Sequence, residues 1–96
     1  MAVGEPVTGI LTLTAGSSAE IKPPSGEAWM IFNILIPNGV TEVELYITNG
    51  TDDILVDTND ASWIYYKFII TDTHYIKLVN TGTVDVPVGY EGVKLT

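Results

Sequence analysis

Turn-forming residues recur along this chain at intervals that leave little room for helices. Ala15-Gly16-Ser17-Ser18, Pro23-Pro24-Ser25-Gly26, Pro37-Asn38-Gly39, Asn49-Gly50, Asn59-Asp60, Asn80-Thr81-Gly82 and Gly89 punctuate its 96 residues, and runs bounded by such breakers are of strand length. The runs are Val7 to Leu13, Ala19 to Lys22, Ala28 to Ile36, Glu42 to Thr48, Asp53 to Asp57, Trp63 to Ile70, Tyr75 to Asn80, Val84 to Val88 and Gly92 to Leu95, all rich in β-branched and aromatic residues. Such side chains suit a pleated, half-buried surface. Apolar residues alternate with period two at Val43-Glu44-Leu45-Tyr46-Ile47 and Tyr75-Ile76-Lys77-Leu78-Val79, the pattern of strands with one core face and one wetter face. No stretch of helical length sustains an i, i+3, i+4, i+7 apolar pattern. The reading is all-β: a single antiparallel β-sandwich of eight to nine short strands, one domain over residues 1–96. A jelly roll is preferred to an immunoglobulin-like fold, whose Cys, Trp, Cys spacing is missing.

A chain of this size buries only roughly 60–65% of the surface it exposes when unfolded. It has no cysteine and a single histidine, so neither disulfides nor a zinc cluster can add stability, and the core or neighbouring copies must supply it. A homo-oligomer is expected. Twelve acidic residues face four lysines, with no arginine, for a net charge of −8. This opposes binding to phosphate backbones or anionic headgroups, so neither nucleic acid nor membrane is an expected partner. The start Met1-Ala2-Val3-Gly4-Glu5 lacks the basic and apolar regions of a secretory signal, which points to synthesis in the cytoplasm. The longest apolar run, Ala28 to Ile36 with Asn33 inside it, is about half of the ~20 residues a membrane-spanning helix needs. It reads as a buried strand.

Two strands break the in/out rule. Trp29 to Ile36 and Trp63 to Ile70 carry large apolar residues on both faces, although an isolated sandwich needs only one face buried. Either a loop or the N-terminal segment folds over the second face, or that face is a subunit interface. The candidate interface residues are Met30, Phe32, Ile34, Trp63, Tyr65 and Tyr66.

Catalytic and metal chemistry find little footing. Asp52, Asp53, Asp57, Asn59 and Asp60 offer oxygen ligands for a cation such as calcium, but Asp57-Thr58-Asn59-Asp60-Ala61-Ser62 lacks the spacing of an EF-hand loop, and solvated turn carboxylates are the simpler reading. His74 alone completes no chelating set and no defined triad. Glu42 and Glu44 project from one side of one strand, unlike the opposed acid and base of a glycosidase. Asn49-Gly50-Thr51 reads as a hairpin turn rather than a glycosylation site. Trp63, Tyr65, Tyr66 and Tyr46 suit core packing, a protein interface or a sugar-stacking platform. No catalytic residue, no metal and no cofactor are assigned.

One segment goes beyond generic β pattern: Ser18-Ala19-Glu20-Ile21-Lys22-Pro23-Pro24-Ser25-Gly26-Glu27-Ala28-Trp29-Met30-Ile31. It resembles the I-x-P-P-x-G-E-x-W-x-I stretch of small proteins of tailed phages and prophages that are regarded as virion or head-associated parts. The likeness continues through Val43 to Gly50, Tyr75 to Thr81 and Val88 to Val93. It implies a non-enzymatic virion structural protein, a capsid decoration or head-fibre component, with capsid or other virion proteins as partners and the virion as its location. It carries over no functional residue. Physically, Pro23 and Pro24 pre-set an extended turn, Gly26 relieves it, and Trp29 anchors the next strand. The rival expectation is a carbohydrate-binding module that stacks sugars on Trp63, Tyr65 or Tyr66.

Overall fold

A computed structural model describes residues 4–58 and 62–96, apart from the side chain of Tyr65. The chain is all-β. Among the described residues there are eight strands: β1 (Pro6–Leu13), β2 (Ser18–Ile21), β3 (Ala28–Leu35), β4 (Val43–Thr48), β5 (Asp53–Thr58), β6 (Trp63–Thr71), β7 (Tyr75–Asn80) and β8 (Val86–Lys94). They form two four-stranded sheets, the first in the order β1-β8-β3-β6 and the second in the order β2-β7-β4-β5. Every pairing between neighbours is antiparallel. The sheets pack face to face as a β-sandwich, with one apolar cluster between them that draws on both, from Leu13, Ile31, Ile34 and Val88 on one side to Ile21, Leu45, Ile76 and Leu78 on the other.

The two runs expected near the C-terminus, Val84 to Val88 and Gly92 to Leu95, are one strand. Gly89, which looks like a breaker, and Gly92, which looks like the start of a new run, both lie inside β8. A β-carbon on Gly92 would collide with the Met30 carbonyl oxygen and with Ile31. Gly92 is therefore a close-approach residue that lets β8 run against β3.

The proline-glycine segment before β3 is a turn. Glu27 N–H donates to the Pro24 carbonyl at 3.1 Å, and Gly26, at φ 83°, takes the position where such turns favour glycine. The Glu27 carboxylate then accepts the Trp29 indole N–H at 3.1 Å and lies 3.9 Å from the Lys94 ammonium. Trp29 is buried, and Pro23 is among the fully buried residues.

Asn80 closes the other end. Its buried side chain donates to the carbonyls of Leu13, at 3.0 Å, and Val84, at 2.7 Å, and accepts from Gly82 N–H at 2.9 Å. One amide thus ties the end of β1 to the loop between β7 and β8.

Candidate interaction surface

The outward face of the first sheet is built in register rows. Antiparallel pairing sets Pro6, Val93, Met30 and Ile69 across the sheet in one row, Thr8, Glu91, Asn33 and Ile64 in the next, and Ile10, Gly89 and Leu35 in the third. The outer rows are apolar apart from the main chain, while the middle one carries the Asn33 Nδ2 to Glu91 Oε1 bond at 2.9 Å. Ile10 is 83% exposed, Ile69 60%, Ile64 48% and Leu35 39%, so no described segment covers this face.

A bulge decides which residues of β3 reach it. Between Ile31 and Asn33 the register of β3 slips against both β8 and β6, leaving Phe32 as an extra residue opposite β8. Trp29 and Ile31 point inward before the bulge. Unbroken alternation would then send Ile34 outward with Met30 and Phe32; the extra residue turns it inward, and Ile34 is fully buried.

The candidate interface residues therefore divide. Met30 and Phe32 are half-buried and Tyr66 is exposed, its ring stacked on Phe68 with centroids 5.8 Å apart. Ile34 and Trp63 pair with each other and belong to the core, a correction to their expected place at an interface. Trp63 donates its indole N–H to Asp57 Oδ2 at 2.9 Å, across the gap between the sheets. The side chain of Tyr65 lies outside the described residues. The strand expected at Asp53 to Asp57 is present as β5, but sequence reasoning did not mark it as a surface, and all six of its residues are exposed. Its signal was available in Asp53-Ile54-Leu55-Val56-Asp57, an apolar triplet with a carboxylate at each end and no one-sided alternation.

The other side chains with chemical potential are engaged in local structure. On the outer face of the second sheet Lys77 Nζ donates to Asp53 Oδ2 at 2.8 Å and lies 6.0 Å from the centre of the Tyr46 ring. The bond to Lys77, with a further one from Thr48, lowers the Asp53 pKa, and its partner raises that of Lys77. Tyr46 donates its hydroxyl to Glu44 at 2.9 Å, which raises the phenol's pKa. Lys22 sits over the Tyr75 ring at 4.7 Å. The described aromatics considered for sugar stacking thus share no surface: Trp63 is in the core, Tyr46 lies under a lysine, and Tyr66 flanks Phe68.

Among the described residues no three His, Cys, Asp or Glu side chains gather as a cation site. Asn59 and Asp60 lie outside the described residues. Asn49 Oδ1 receives the Thr51 and Asp52 N–H groups, at 2.9 and 2.7 Å, which makes the Asn-Gly pair a turn. His74 is exposed at the β6–β7 hairpin and exchanges main-chain bonds with Thr71. At one end of the sandwich a groove of about 460 Å³ runs between Pro37, Val40, Val84 and Pro87. Of its two carboxylates, Asp85 accepts the Ala15 N–H at 3.0 Å and Glu42 lies against Gly82.

Compared with known proteins, the chain matches no family model and no curated protein. The prolines, glycine, glutamate and tryptophan of the segment from Ser18 to Ile31 have structural work in the turn and in β3.

Proposed function

We propose that this chain is a non-enzymatic structural part of a virion, a capsid decoration or head-fibre component that attaches to a capsid or another virion protein through the outer face of its first sheet. The observation that carries the reading is the pair of apolar register rows, Pro6-Val93-Met30-Ile69 and Ile10-Gly89-Leu35, left open on a rigid sandwich. Exposed apolar side chains gathered on one sheet face, here Ile10, Leu35 and Ile69 on either side of the Asn33–Glu91 bond, are the mark of a protein docking site. The likeness of the Ser18 to Ile31 segment to virion parts supports the same reading and supplies the partner class.

The strand order supports it at the level of architecture. Pairing β1 with β8, β2 with β7, β3 with β6 and β4 with β5 is what a long hairpin yields when it is rolled into two sheets, and we read it as a jelly roll, a wrap common in viral capsid proteins. An immunoglobulin domain instead divides its strands into ABED and CFG. The acidic surface keeps free copies soluble before assembly.

Particles purified from cells that carry the gene provide the test. The chain should band with intact particles in a density gradient and be found in them by mass spectrometry, and the Ile10→Arg variant, changed at an 83% exposed position of β1, should remain folded and be lost from the particles. A chain found only in the soluble fraction would sink the virion reading. Retention of Ile10→Arg at the wild-type level would move the attachment away from this face.

A further inference from the structure

Exposed apolar side chains are unevenly spread over this molecule. Of the nine large hydrophobic residues exposed among the described residues, six belong to β5 and β6: Ile54, Leu55, Val56, Ile64, Tyr66 and Ile69. These consecutive strands are both edge strands, β5 ending the second sheet and β6 the first. The bond from Trp63 Nε1 to Asp57 Oδ2 spans the gap between the sheets and holds them on the same flank. Edge strands of natural sandwiches are usually short, charged, bulged or covered, because an open apolar edge is a template for further pairing.

We propose that this flank is an interface between two copies of the chain, related by a two-fold axis that lays β5 of each copy against β6 of the other. The inference rests on the reading of the chain as an assembly part; the flank meets the virion-facing surface at Ile64 and Ile69, whereas Ile10 of β1 belongs to that surface alone and the β5 triplet to the flank alone.

Area is the first argument for a second copy. The six residues are 45–65% exposed. With roughly 150–250 Å² for a fully exposed large apolar side chain, they present on the order of 600 Å². Spread over the two edge strands, that is near the share of about 800 Å² that each partner brings to a standard interface.

Charge is the second. Lys67 of β6 is exposed and has no ion pair among the described residues. At the opposite sheet's edge, Asp52 and Asp53 precede the apolar triplet of β5 and Asp57 follows it. Lys77 already occupies Asp53, while Asp57 receives a neutral indole N–H. A two-fold arrangement brings the lysine of each copy toward the aspartates of the other, so the flank is complementary to itself.

Sedimentation velocity on the purified chain, over about 1–100 μM, tests this without any virion component. The wild type should be a dimer. Leu55→Arg and Ile69→Arg should give folded monomers with the wild-type circular dichroism spectrum, and Lys67→Glu should weaken the dimer about tenfold, a single charge contact's worth. Ile10→Arg, on the far edge strand, should leave the dimer intact while losing the particles, so the two interfaces fail separately. Should the arginine variants not fold, cross-linking replaces them: the chain has no cysteine, and a mixture of Val56→Cys and Tyr66→Cys proteins should give chiefly the mixed disulfide. A wild type that is monomeric throughout, a dimer that survives both arginine variants, or cross-linking without preference for the mixed pair would each overturn the proposal.

Discussion

Asn80 shows how much of this fold hangs on single polar groups. Its side chain is wholly buried and serves two carbonyls and one N–H, and leaving buried polar groups unpaired costs about 1–3 kcal/mol each. Asn80→Ala should therefore destabilise the chain by about 3 kcal/mol or more, lowering Tm by at least ~12 °C at about 4–8 °C per kcal/mol for a domain of this size. Asn80→Asp keeps an acceptor for Gly82 but loses both donors, and should melt almost as early by circular dichroism. The Asp53–Lys77 pair acts more weakly, being solvent-exposed. Because the folded protein holds the Asp53 pKa below its ordinary 3.8, the unfolded chain binds that proton more readily. The contribution is therefore present above about pH 4 and is lost as the pH falls through the lowered folded value. Denaturant melts of wild type and Lys77→Met, run between pH 3 and pH 7, should differ most at neutral pH and converge in acid.

At the scale of strands, two glycines that look alike in the sequence have opposite tolerances. A β-carbon at Gly92 meets main-chain atoms of β3, whereas one at Gly89 meets the Leu35 side chain at 3.4 Å, an end of side chain that can yield. Gly92→Ala should cost about 2–3 kcal/mol and Gly89→Ala little, and their Tm values should be separated by ~8 °C or more. The same glycines mark the limit of what was legible. The sandwich was plain from turn spacing and from the alternation in β4 and β7, but a glycine inside a strand carries the same letter as one demanded by a turn, so Gly89 was read as a breaker and β8 as two strands. The bulge at Phe32 was equally hidden, since nothing local in Trp29 to Ile36 says where alternation slips. It is this slip that moves Ile34 from the surface to the core. For the candidate surface, Met30, Phe32 and Tyr66 were found from two-sided apolarity, whereas Ile54, Leu55 and Val56 look like a buried run until β5 is known to be an edge.

On the scale of the whole molecule, a body of 38 × 28 × 19 Å with no disulfide has limited means of stabilising itself, and association is one it can use. Anything that binds the folded chain and not the unfolded one raises its apparent stability, by about 2.7 kcal/mol when present at 100 times its Kd. If copies meet through β5 and β6, each chain is that ligand for another, and Tm must depend on protein concentration. The wild type should melt ~10 °C or more higher at concentrations far above Kd than at Kd, given about 4–8 °C per kcal/mol. Leu55→Arg should melt at one temperature throughout. Differential scanning calorimetry at two concentrations distinguishes this from intrinsic stability, because burial inside one sandwich does not respond to mass action. A wild-type Tm that stays fixed across a hundredfold range would mean that the exposed β5 and β6 side chains stabilise nothing in the free protein, and that the core and the Asn80 and Glu27 ties hold the fold alone.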